Sequence, residues 1–156
     1  MDFISGIYHI DVDVKRTQEF YAKEFDLGCE CEDCKNFIPA IRQLPDDVKA
    51  FFTQFGVDPA KPAEICAYDG ADSTGVLYNG FYHICGTILS GKNPWVQVKK
   101  DLYHLNEAYA IRFSNGFSFY FTEECMLVDE DFPAPVIQLE FSGYLPWVID
   151  IPNPYI

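Results

Sequence analysis

Val48, Phe51, Phe52 and Phe55 recur at i, i+3, i+4 and i+7, the spacing that gathers side chains on one face of an α-helix. Pro45 suits the first position of that helix, and Asp46 and Asp47 favour the positive end of its dipole. Gly56 suits the left-handed residue after the last turn, with Val57 folding back as the hydrophobic contact of a Schellman motif. Asp58-Pro59 ends the element. An earlier helix is expected from Asp13, as cap, through Val14, Thr17, Tyr21 and Phe25 to a stop at Gly28. Ahead of it, residues 3–12 alternate around Ile7, His9 and Asp11, as a strand or extended lead-in does.

From Glu64 the pattern becomes that of strands. A turn-rich link at Asp69–Gly75 leads to Val76–Ser90, whose aromatic and β-branched content suits paired strands. The run Gly91-Lys92-Asn93-Pro94 reads as a turn, and Trp95–Val98 as a short strand. Residues 108–122 form a hairpin whose loop length follows from side-chain pairing. A three-residue loop, Ser114-Asn115-Gly116, sets Phe113 against Phe117, Ile111 against Phe119 and Tyr109 against Phe121, with all the apolar partners on one face. Val136–Phe141 then reads as a strand, Ser142-Gly143 as a turn, and Leu145–Ile149 as a second short strand that Pro146 places at an edge. The tail, with Pro152 and Pro154, is expected to lie extended along the surface. Helices gathered early and strands gathered late predict one α+β domain over residues 1–156: two N-terminal helices packed on a mainly antiparallel sheet. Phe51, Phe52, Phe55, Ile111, Phe119 and Trp147 are the expected core.

Composition narrows the function classes. With 49% hydrophobic residues and 14 Phe in 156 positions, the chain has enough apolar surface to offset its entropy without a disulfide or a metal. Eleven Lys and Arg against 24 Asp and Glu give a formal charge of −13, which repels nucleic acid and anionic lipid headgroups. The same field attracts a basic protein partner or a cation; solubility alone also explains it. The N-terminus lacks a basic region and no window approaches the ~18 apolar residues of a membrane span. A cytosolic chain with reduced thiols is the expectation.

The densest chemistry is Cys29-Glu30-Cys31-Glu32-Asp33-Cys34, read as a loop-like acidic stretch. Cys31-x-x-Cys34 has the spacing with which a tight knuckle aims two sulfurs at one zinc ion, and Cys29 adds a third. A closed tetrahedral site needs distant ligands, for which Cys66, Cys85 and His83 are the candidates. The competing reading is that the thiols pack as small hydrophobes or sit free. Glu30, Glu32 and Asp33 are expected to oppose thiolate formation, which disfavours a redox or nucleophilic role. Neither a Gly-x-Ser-x-Gly elbow nor a phosphate-binding glycine loop is present. The acid pairs Asp11/Asp13 and Glu123/Glu124 read as solvated or capping groups, and His9 and His104 as hydrogen-bonded structural histidines.

The run Cys29-Glu30-Cys31-Glu32-Asp33-Cys34-Lys35-Asn36, with Phe55–Glu64, Phe81-Tyr82-His83, Leu139-Glu140-Phe141 and Leu145-Pro146-Trp147-Val148, resembles a family of uncharacterised bacterial proteins of about this length. The resemblance implies a small cytosolic α+β protein and carries no activity with it. Three function classes follow from the residues. The leading one is a non-catalytic accessory protein that binds a basic protein partner through a sheet edge or an acidic aromatic surface. The others are a zinc-binding accessory or sensor protein and a small thiol-dependent enzyme.

Overall fold

The computed structural model describes residues 1–69, 75–91, 93–113 and 116–156. Among these residues it is an α+β arrangement of three α-helices and a seven-stranded, wholly antiparallel sheet, with a separate two-stranded hairpin. Strands β1 (Asp2–Ser5) and β2 (Tyr8–Val12) form an N-terminal hairpin where one extended segment was expected. Helix α1 (Val14–Tyr21) follows, capped by the Asp13 carboxylate accepting from the Arg16 N–H, and it ends at Tyr21, well before Gly28.

Helix α2 (Glu32–Ile41) is the element the sequence reading missed. Its buried face is Cys34, Phe37 and Ile41, and Leu44 just beyond continues the spacing; Pro39 inside the helix removes one donor and hides the pattern. Buried Asn36 ties this helix to the chain after the sheet. Its amide donates to the Tyr78 hydroxyl and the Pro146 carbonyl and accepts from the Val148 N–H.

Helix α3 (Asp46–Gln54) ends as the pattern requires: the Val57 N–H reaches the Phe52 carbonyl, the Gly56 N–H reaches Thr53, and Gly56 sits at φ +78°. Phe51, Phe52 and Phe55 are buried, Phe52 lying edge-on to Tyr82 at 5.0 Å.

Strand β4 (Val76–Ser90) is a single 15-residue strand, not a pair of strands, and it organises the sheet. One edge pairs along most of its length with β9 (Val136–Leu145). The other edge is served first by β3 (Glu64–Tyr68) and then by β2. Between them, α1 supplies the hydrogen bonds: the Tyr21 hydroxyl accepts from the His83 N–H and donates to the His83 carbonyl, and Thr17 Oγ1 accepts from the Cys85 N–H.

The two remaining strands of the sheet, β7 (Ile111–Arg112) and β8 (Ser118–Thr122), and the outlying hairpin of β5 (Trp95–Lys99) and β6 (Leu102–Leu105), complete the strands. Ile111 pairs with Phe119 and the Phe113 N–H with the Phe117 carbonyl, the register of a three-residue loop; residues 114 and 115 lie outside the described residues, as do 70–74 of the expected link and Lys92 of the expected turn. Tyr109 does not extend the ladder, because Glu107–Tyr109 is a 3-10 turn.

The expected turn at Ser142-Gly143 is absent: β9 runs straight through it. A Cβ on Gly143 would lie 2.5 Å from the Phe117 ring, so the glycine makes room for an aromatic side chain. Trp147 and Ile111 are only partly buried against the core, and Leu145–Ile149 is not a second strand, since its backbone is used by Asn36.

Alternation fixes the two faces. Tyr78, Tyr82, Ile84, Ile137, Leu139, Phe141, Phe119 and Phe121 face the helices; Phe81, His83, Cys85, Gln138, Glu140 and Tyr120 face the other way, where the β5–β6 hairpin and residues 123–135 lie. Among the described residues no helix is long and apolar enough to cross a membrane.

Candidate metal centre

The acidic cysteine run straddles the start of α2. Cys31 is the residue before the first turn, extended at φ −66° and ψ 162°, and Cys34 lies one turn inside the helix. Helical side chains lean toward the N-terminus, which brings the Cys34 sulfur back toward Cys31. Gly28 at φ +74° and the Asp26 carboxylate accepting from its N–H turn the chain so that Cys29 approaches the same point. The sulfurs of Cys29, Cys31 and Cys34 all lie within 4.8 Å of one another, and those of Cys29 and Cys31 are 3.2 Å apart. Zinc holds sulfur at about 2.3 Å, which separates the sulfurs of a tetrahedral site by about 3.8 Å. The observed spacing brackets that figure, so the three residues fit a single thiophilic ion.

Electrostatics agree. The Cys31 N–H points at the Cys29 sulfur and, with hydrogen bonds from the Cys31 and Cys34 thiols, draws the Cys29 pKa down. This reverses the expectation from the acids alone, although Asp33 does oppose it. Cys34 goes the other way: burial first, then its role as donor to Cys29 and Cys31, pushes its thiol up. Three sulfurs this close cannot all ionise unless a cation sits among them. The helix N-terminus and its unpaired N–H groups add positive potential for the thiolates. Cys29 and Cys31 are exposed and Cys34 is buried, so an ion there would be reachable from solvent.

The structure does not bring the other three candidates to this centre. Cys66 lies on β3 opposite Asn79, exposed on the outer face of the sheet. His83 and Cys85 face outward from β4, so the sheet separates them from α2. His83 is buried beside Phe81 and Phe132; desolvation lowers its pKa against hydrogen bonds to the Met126 carbonyl and Gln138, and among the described residues its Nε2 has no partner. It also lines a cavity of about 410 Å³ with Phe20, Tyr21, Lys61 and Leu127; Asp26 and Leu27 reach this cavity, and among the described residues none of the three cysteines lines it.

The sequence reading did not foresee Asp33 and Tyr155. The Tyr155 hydroxyl donates to Asp33 Oδ2 at 2.8 Å and the Tyr78 hydroxyl to the Asp33 carbonyl at 2.9 Å, so the C-terminal tail is fastened to the first turn of the helix that carries Cys34. No local pattern announces a contact between residues so distant in the chain. No protein-family model, no curated protein and no solved structure matches the chain.

Proposed function

We propose that this is a non-catalytic accessory protein built around a thiolate centre for one zinc ion, held by Cys29, Cys31 and Cys34. The observation that carries the reading is the convergence of three sulfurs within 4.8 Å at the start of α2. Hydrogen bonds join the three thiols when they are neutral, and a divalent cation would compensate the charge of all three as thiolates, favoured by Glu30, Glu32 and Asp33 nearby. The centre sits on a helix end and not in a cleft, which supports a structural or sensing role. Bound zinc would fix residues 29–31 against α2, and through Asp33 would steady the tail. A reducing compartment such as the cytosol keeps the thiols available. The acidic surface completes the reading as the side that meets a basic protein partner, with no part for nucleic acid.

Elemental analysis of protein purified without a metal-affinity tag tests the centre. About one equivalent of zinc is expected, with a lower melting temperature in chelator and loss of metal in Cys31→Ser. Zinc well below a tenth of an equivalent, with stability indifferent to chelator, overturns it. One observation favours a second reading, a reactive thiol: Cys29 is exposed and its pKa is lowered. Iodoacetamide mapping separates the two, since a zinc ligand is alkylated only after chelation and a free nucleophile is alkylated at once.

A further inference from the structure

The outer face of the sheet carries a groove beneath the β5–β6 hairpin. Alternation along β9 points Glu140 into it, between Tyr120 on β8 and Phe81 on β4. Trp95, at the start of β5, closes the groove by donating its Nε1 proton to Glu140 Oε1 at 3.1 Å; Gln138 Nε2 donates to the same oxygen at 3.0 Å. Two adjoining cavities of about 210 and 330 Å³ share Trp95, Met126 and Glu140 as a common wall. Glu64 and Phe81 line the first, Tyr103 and Glu124 the second. Among the described residues neither cavity is lined by any lysine, arginine or histidine.

A half-buried carboxylate among aromatic rings, with further acids beside it and no cation, is uncompensated. Burial raises the Glu140 pKa, its two hydrogen bonds oppose the rise, and Glu124 adds to it. The complement must supply positive charge and tolerate loss of water. Among the described residues the carboxylates of this groove do not converge closely enough to share a metal ion, as the three cysteines do. An alkylammonium or guanidinium fits both halves, since its head pairs with the carboxylate while its apolar stem lies on indole and thioether, and the rings attract the cation through their quadrupoles. The charge of −13 would speed the approach of such a ligand.

We propose that this groove binds the lysine or arginine side chain of a basic partner segment, with its cationic head at Glu140 and its stem along Trp95 and Met126. Two adjoining cavities that share Trp95, Met126 and Glu140 suit an extended segment better than a compact metabolite. The inference gives a location to the basic partner of the reading above, and it is independent of the thiolate centre.

The test uses the full chain as purified, with tetralysine as probe and its fully acetylated form as the uncharged control. Binding is read by calorimetry and by Trp95 fluorescence in a Trp147→Phe background. Salt of about 0.15 M shortens the Debye length to about 8 Å and suppresses attraction by the net charge alone. Tetralysine is expected to bind saturably and the acetylated peptide not to bind. Glu140→Gln keeps an oxygen for the Trp95 N–H and should weaken binding about tenfold, whereas Glu19→Gln, on the exposed side of α1, should change it by less than about twofold. Near-UV circular dichroism confirms that both variants are folded. Equal losses in the two variants would mean that only net charge is sensed, and binding of the acetylated peptide would mean that only apolar contact is; either overturns the proposal. Tighter binding of tetramethylammonium than of tetralysine would assign the groove to a free ammonium compound and overturn the partner assignment. Zinc content is measured on the same samples, so failure of the groove and failure of the metal centre are distinguishable.

Discussion

Single side chains in this protein take their chemistry from where the backbone places them. Glu30, Glu32 and Asp33 suggested thiols held in the protonated form, yet the Cys31 N–H, joined by the Cys31 and Cys34 thiols, turns Cys29 the other way. That reversal depends on the knuckle geometry, which composition does not encode. Glu140 shows a second environment effect, and its sign can be worked out. Its folded pKa lies above the ordinary carboxylate value of about 4.3, so the folded state holds the proton more tightly than the unfolded chain does. The stability this contributes is complete below the unfolded pKa and is lost as pH rises through the folded one. Glu140→Gln, which resembles the protonated acid, should therefore melt higher than the wild type near pH 7, with the gap closing as pH falls toward about 4. Parallel melting curves across that interval would show that the carboxylate is not desolvated.

Elements were legible where local periodicity and chain-end chemistry agreed. The α3 face, its Gly56 stop and the register of Ile111 with Phe119 all follow from repeats of a few residues. Helix α2 was hidden because Pro39 and the acidic cysteines are poor helix signals, although the spacing of Cys34, Phe37 and Ile41, continued by Leu44, was there to be read. Ser142-Gly143 failed for the opposite reason. A turn signal was present, but tertiary packing used the glycine for the space it leaves beside Phe117. Gly143→Ala should therefore destabilise the protein by about 1–3 kcal/mol through overpacking, measured by urea denaturation. Restoring stability by adding Phe117→Leu would identify the ring as the cause; no loss at all in the single variant would mean that β9 moves aside.

Across the molecule, the cysteines and His83 illustrate what one sequence withholds. Period two along β4 already places His83 and Cys85 on a common side, but which side meets the helices is decided by strands paired from distant parts of the chain. The candidate ligands therefore divide between two layers, with three at the head of α2 and the rest behind the sheet. The acidic groove and the thiolate centre divide in the same way, so each can be altered without touching the other.

The handover on the edge of β4 has a consequence for how the molecule opens. Midway along that strand, hydroxyl groups from α1 stand in for a neighbouring strand, and Tyr21 alone satisfies both backbone groups of His83. Tyr21→Phe would keep the ring and leave a buried donor and acceptor unmatched, at a cost of about 1–3 kcal/mol. Amide hydrogen exchange should then accelerate first at His83, in the interior of the longest strand, while amides toward both ends stay protected. A strand is ordinarily expected to fray from its tips; in the variant this one would open from the middle, where Tyr21 of α1 otherwise holds it shut.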